Sequence, residues 1–209
     1  KTLVIIEKDF NLYGKLKLKY TDNKKVILYN ADILKFNLEK IIKNNSIIFG
    51  NLPYNISSQI LVKILRFKKI PATYSDLILM FQKELGEKIT GKFPSVNYGR
   101  LSILANYKLN LIKKFQVSPN CFLPKPKVTS LVIHFQPKKK FTFNIKNLIS
   151  LEKITNILFS NKRKMINKNI KKLFTDEEIK IIKDINLNYR PSEIKPEIYY
   201  KITELFEKK

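Results

Sequence analysis

The four residues Asn51-Leu-Pro-Tyr54 combine a carboxamide, a residue held extended by the proline after it, and an aromatic ring. That set suits chemistry on the exocyclic amine of adenine. The amine lone pair is delocalised into the purine ring, so its attack on an electrophilic methyl group requires acceptors that draw both N–H hydrogens out of the ring plane. The Asn51 side-chain oxygen offers one acceptor and the Leu52 carbonyl the other. Pro53 fixes where that carbonyl points, because a residue preceding proline is driven to the extended region. Tyr54 supplies a flat face for a base that has left its helix. The competing reading is an ordinary strand-to-helix turn, with Asn and Pro chosen for backbone geometry and Tyr packed inside.

Such residues act only if a strand end holds them, since open α/β sheets bind ligands at the carboxyl ends of their strands. Residues 46–50 (Ser-Ile-Ile-Phe-Gly) form an apolar run that leads straight into Asn51, and residues 3–7 and 25–32 read as similar strands. With helical segments at 57–67 and 82–90, the pattern predicts an α/β layered fold with a largely parallel sheet. Residues 112–117 and 128–135 flank the proline-rich Asn120-Cys-Phe-Leu-Pro-Lys-Pro-Lys127 and are expected to pair antiparallel at a sheet edge. The lysines 138–140 read as a linker between a first domain, 1–137, and a small all-helical domain, 141–209. In that second domain Leu148, Leu151, Ile154, Ile157 and Leu158 recur at helical spacing. Thr175-Asp-Glu-Glu178 forms a capping box, and Pro196 stands where a last helix begins.

Composition narrows the function class. Of 209 residues, 41 are Lys or Arg against 17 Asp or Glu, a net charge of +24 whose field favours polyanions, nucleic acid first among them. Part of that charge reflects Lys-, Asn- and Ile-rich codon usage. A hydrophobic content of 44% supports a real core and argues against a disordered basic tail. The single cysteine, Cys121, forms no internal disulfide, and with the single histidine, His134, it makes no zinc set, so no metal is expected. His134 lies within a strand run and reads as structural. No apolar run approaches a membrane span, and the opening residues do not form a signal peptide, which points to a cytoplasmic protein with no membrane partner.

Taken together, Phe49-Gly-Asn-Leu-Pro-Tyr-Asn-Ile-Ser57, Gln82-Lys-Glu84, Tyr98-Gly-Arg-Leu-Ser102, Phe122-Leu-Pro-Lys-Pro-Lys-Val128 and Asn161-Lys-Arg-Lys-Met165 resemble the rRNA adenine dimethyltransferase family. The blocks fall in family order and cover nearly the whole chain. The resemblance implies a Rossmann-like S-adenosylmethionine methyltransferase sheet followed by a small C-terminal all-helical domain. It also implies transfer of two methyl groups to the amine of each of two adjacent adenines in small-subunit rRNA, during ribosome assembly, by a monomer. By the same resemblance Glu7 holds the cofactor ribose, Asp32 contacts the cofactor adenine with Ile33 packed nearby, and Asn51 borders both cofactor and target. Asn51, Leu52, Pro53 and Tyr54 form the catalytic turn, and Phe122 sandwiches the target base opposite Tyr54. Lys125, Lys127, Arg163 and Lys164 are the expected contacts to RNA phosphates.

Glu7, Asp32 and Asn51 are therefore expected to converge on one crevice. One family feature is missing: no Gly-x-Gly turn precedes Glu7. The sequence is accordingly read as lacking its front end, roughly one βα unit of some thirty residues. Two alternatives stand beside the dimethyltransferase. One is a non-catalytic RNA-binding assembly or transcription factor on the same fold, which the absent glycine turn favours; the other is a large-subunit rRNA adenine methyltransferase.

Overall fold

The computed structural model describes residues 1–69 and 72–209. Strand β1 (Leu3–Glu7), helix α1 (Phe10–Lys19) and strand β2 (Val26–Asn30) form a βαβ unit in which β1 and β2 pair parallel, Glu7 opposite Asn30. Asp9 caps α1 by accepting from the Leu12 amide at 2.8 Å. After α2 (Leu38–Ile41) come β3 (Ser46–Asn51), α3 (Ser57–Leu65), β4 (Tyr74–Gln82), α4 (Lys83–Ile89), α5 (Arg100–Lys108), β5 (Leu109–Val117) and β6 (Ser130–Pro137). These last four strands make a second sheet in the order β3-β4-β6-β5.

The structure differs from the sequence expectation in its strands. The strands form two sheets, and in the larger one β6 runs against both its neighbours, so two of its three pairings are antiparallel. The β5–β6 pair is antiparallel and lies at a sheet edge as anticipated, with β5 outermost and β6 also paired to β4. The central strand β4, Tyr-Ser-Asp-Leu-Ile-Leu-Met-Phe-Gln, is an addition to the strands that the sequence pattern marks. Its near-continuous apolar run, which a strand covered on one face and half-covered on the other tolerates, has too little alternation to signal it.

The core lies on one face of the larger sheet. Leu77, Leu79 and Phe81 of β4 and Leu131, Ile133 and Phe135 of β6 are buried there beneath α3, α4 and α5. Helix α3 contributes Ile60, Leu61, Ile64 and Leu65, the i, i+4 stripe of an amphipathic helix. Gly86 lets α4 lie close: a Cβ at that position would stand 2.7 Å from Leu131 Cδ2. On the opposite face Ile47, Phe49 and Phe115 are exposed. Near the amino end of β4, on that face, Asp76 accepts from Gln136 Nε2 at 2.9 Å and lies 2.7 Å from His134 Nε2.

Those contacts, with the Ser75 hydroxyl, hold the Asp76 carboxyl down at about 2. A carboxyl depressed on folding stabilises the native state above its unfolded value of ~3.8, and that contribution is lost as pH falls toward about 2. Asp76→Asn should therefore flatten the fall in melting temperature between about pH 4 and pH 2. A melting curve with the wild-type acid slope would exclude Asp76 as its source.

The helical segment packs on the same core. Helices α6 (Leu148–Leu158), α7 (Asn167–Ile170), α8 (Asp176–Ile181) and α9 (Pro196–Phe206) bury Leu151, Ile154, Leu158, Tyr199 and Ile202, and these join the sheet core in one contiguous cluster. Thr175 and Glu178 close the capping box at α8, with Glu178 Oε2 accepting from the Thr175 amide at 2.8 Å. Three tyrosines stitch the two parts together. Tyr98 donates to the Ile194 carbonyl (2.8 Å), Tyr200 to the Ile103 carbonyl (3.1 Å) and Tyr107 to the Phe143 carbonyl (3.0 Å). Arg66 adds a bidentate pair to Glu152, both contacts at 2.6 Å. The expected linker is tied down at its first residue, since Lys138 bonds the carbonyls of Lys108 and Asn106.

Candidate active site

Asn51 is the last residue of β3, opposite Met80 of β4, and from there the chain turns through Leu52, Pro53 and Tyr54 into α3. The turn is closed by the Ile56 amide donating to the Pro53 carbonyl (3.2 Å) and the Ser57 hydroxyl donating to the Tyr54 carbonyl (3.0 Å). The Tyr54 phenol lies 2.6 Å from the hydroxyl of Ser130, the first residue of β6.

Facing this turn is the loop between β5 and β6, which starts with a short 3₁₀ turn at Pro119–Cys121. Asn51, Leu52, Pro53 and Tyr54 on one side, Phe122, Pro124 and Pro126 on the other, and Met80 at the base enclose an open pocket of about 210 Å³. An apolar cleft with two aromatic rings and a strand-end carboxamide is the kind of site that takes a planar base. The five residues expected at the target base thus share one pocket. The structure adds Met80 to the pocket lining and Ser130 as the partner of the Tyr54 phenol, neither of which the sequence signals. Met80 falls in the strand that periodicity leaves unmarked, and a lone Ser in a strand carries no signal until its partner across the fold is seen.

The residues expected at the cofactor gather at a different strand end. Glu7 ends β1, and Asn30 across from it donates its Nδ2 to the backbone carbonyls of Glu7 and Lys8 (2.9 and 3.2 Å). Glu7 Oε1 accepts from the Asp9 amide at 2.7 Å, and among the described residues Oε2 has no hydrogen-bond partner. Asp32, two residues beyond β2, accepts from the Leu34 amide (2.9 Å) and from Lys8 Nζ (2.9 Å). The Lys8 hydrogen bond, then the Leu34 amide, hold its carboxyl below the ordinary value. Ile33, partly buried, packs against the core beside it.

Glu7 and Asp32 thus stand at the ends of β1 and β2 and Asn51 at the end of β3, and among the described residues no hydrogen bond or ion pair joins either acid to Asn51. Among the same residues β1 and β3 are not paired, and each has one free edge.

The expected phosphate contacts are exposed. Lys125 and Lys127 lie on the loop that carries Phe122, while Arg163 and Lys164 follow α6, where neither side chain has an ion-pair partner among the described residues.

A sheet of this topology with a base-sized pocket at the carboxyl end of β3 is that of a Rossmann-like methyltransferase. The fold of a dimethyladenosine transferase from Plasmodium falciparum superposes with a TM-score of 0.75 at 20% identity, over 99% of this chain and 82% of that one. The 23S rRNA methyltransferase ErmE follows with a TM-score of 0.67 at 19% identity and the same coverage. The chain belongs to the ribosomal RNA adenine dimethylase family, whose model matches residues 1–208. It is 41% identical over 208 residues to the ribosomal RNA small subunit methyltransferase A of Pelagibacter ubique, covering 99% of this chain and 78% of that relative. The enzyme of the same name from Malacoplasma penetrans is 38% identical over 206 residues, covering 97% of this chain and 72% of the relative. Among the described residues no helix is long and apolar enough to cross a membrane.

Proposed function

We propose that this protein transfers methyl groups from S-adenosylmethionine to the exocyclic amines of two adjacent adenines of small-subunit rRNA, on immature subunits in the cytoplasm. The observation that carries the reading is the pocket shared by Asn51, Leu52, Pro53, Tyr54 and Phe122 at the end of β3. In it Tyr54 and Phe122 hold a flipped adenine between their rings. The Asn51 oxygen and the Leu52 carbonyl then accept from its amine and favour the pyramidal geometry in which the lone pair points at the methyl donor.

The cofactor supplies a methyl group made electrophilic by its sulfonium, so placement and polarisation of the amine are the protein's task. The donor set at β1 and β2 suits it. Glu7 keeps one carboxylate oxygen free for ribose hydroxyls, and Asp32 presents a carboxylate whose Lys8 partner is exposed and readily displaced by an adenine amine. The free parallel edges of β1 and β3, with Ile47 and Phe49 exposed on the adjoining face, suit one further parallel strand. Seated there, such a strand would join the sheets and place Glu7 and Asn51 on two sides of one crevice.

The test is methyl transfer by the product of the complete reading frame to separated ribosomal particles, followed by nucleoside analysis. Dimethyladenosine at adjacent positions in immature small subunits is the expected product. Methylation confined to large-subunit RNA, or binding without transfer, would overturn the proposal.

RNA capture rests on charge at Lys125, Lys127, Arg163 and Lys164. Each neutralised phosphate releases counterions, so affinity should fall steeply with salt. Arg163→Ala with Lys164→Ala should lower the slope of log K against log salt by about one for each phosphate no longer neutralised. An unchanged slope would assign the basic run to a merely solvated surface.

A further inference from the structure

We propose that Ser130 is a positioning residue that sets the plane of the Tyr54 ring and thereby the attitude of the adenine in the pocket. The inference rests on the base-pocket reading above. Ser130 is fully buried, and among the described residues the one side-chain partner of its hydroxyl is the Tyr54 phenol at 2.6 Å. It stands on fixed ground. Ser130 opens β6 opposite Gln82 at the end of β4 and Val117 at the end of β5, and its neighbour Thr129 accepts from the Lys83 amide at 2.9 Å.

Tyr54, by contrast, sits on a turn. Its backbone is held by the Ser57 hydroxyl, which leaves the ring free about its two side-chain torsions. A bond at the far end of the ring removes the swing of that lever. Because the loop carrying Phe122 ends at Ser130, the residue whose hydroxyl holds one wall of the pocket also stands, paired in β6, at the root of the other.

The phenol is therefore engaged within the protein, and the base meets only the ring face. A tilt of the ring is passed to the stacked base, and so moves the amine relative to the Asn51 oxygen and the Leu52 carbonyl, where small misplacements are costly. Orientation, rather than readout of the base edge, is the role this leaves for the Tyr54 hydroxyl.

The test uses the product of the complete reading frame, immature small subunits, and a hairpin RNA with 2-aminopurine in place of one of two adjacent adenines. Ser130→Ala and Tyr54→Phe should each slow single-turnover transfer by about tenfold, the scale of one hydrogen bond. Each should also weaken the stacking quench of the probe and leave the cofactor dissociation constant unchanged. The double variant should be no slower than either single one, because both act through one bond. Ser130→Thr, which keeps the hydroxyl, should recover the rate. Wild-type transfer in Ser130→Ala, or losses that multiply in the double variant, would overturn the positioning role while leaving the pocket standing. A wild-type protein that neither quenches the probe nor transfers methyl groups would overturn the pocket reading, and this one with it.

Discussion

Asn51→Ala should lower the single-turnover rate of methyl transfer by on the order of a hundredfold or more, with little change in RNA or cofactor affinity. The asymmetry follows from when the interaction matters. In the ground state the amine is planar and conjugated, and water can satisfy its hydrogens. In the transition state it is pyramidal, and only fixed acceptors outside the ring plane match it. On the proposed reading Asn51, held at the end of β3 opposite Met80, is such an acceptor, so its removal should fall on the rate and spare binding. Tyr54→Ala should behave differently. If the ring face serves the base before and during transfer, as proposed, its removal should weaken substrate capture by roughly 1–3 kcal/mol, the worth of a base stack. Near-normal single-turnover rates in Asn51→Ala, with cofactor and RNA both bound, would return Asn51-Leu-Pro-Tyr54 to a structural turn.

Phe81→Ala should destabilise the fold by about 3–5 kcal/mol, read as a lower denaturant midpoint at unchanged slope. Phe81 has no exposed surface, lies opposite Leu131 in the central strand, and fills the core between the sheet and its helices. Its truncation removes a large apolar side chain and leaves a cavity that two paired strands cannot close. The same strand carries Met80 to the pocket base and Gln82 to the level of Ser130, so the loosening should reach the site before the protein unfolds. A destabilisation below about 1 kcal/mol would show that the core around β4 repacks, against the close packing seen there.

Much of this architecture is legible in the residues, for identifiable reasons. β1, β3, α3 and the capped α8 announce themselves through β-branched runs, an i, i+4 stripe and a Thr-x-x-Glu box, all local signals. The Asn51-Leu-Pro-Tyr54 turn is legible because the chemistry proposed for it lies in four consecutive residues. β4 is not, since burial erases its alternation. The reversal of β6 against β5 is legible from the proline-rich connection between them, but its pairing with β4 is hidden, because that neighbour is settled across the fold. Ser130 belongs with these. Its partner is 76 positions away, and only the closed structure brings the two hydroxyls within 2.6 Å.

The tyrosines that bond across to backbone carbonyls, with the shared core beneath them, have a consequence for the choice of RNA. Arg163 and Lys164 are carried on a body welded to the sheet, so their reach from the pocket is a fixed span instead of a tether's range. A flexible strand could satisfy either end, but gains both only by giving up its own freedom. An RNA already folded so that its phosphates and its two adenines stand at that spacing avoids the penalty. With Arg163 and Lys164 as the proposed phosphate contacts, rigidity between the two parts of the protein would act as a gauge, admitting substrates by three-dimensional shape ahead of any reading of their bases.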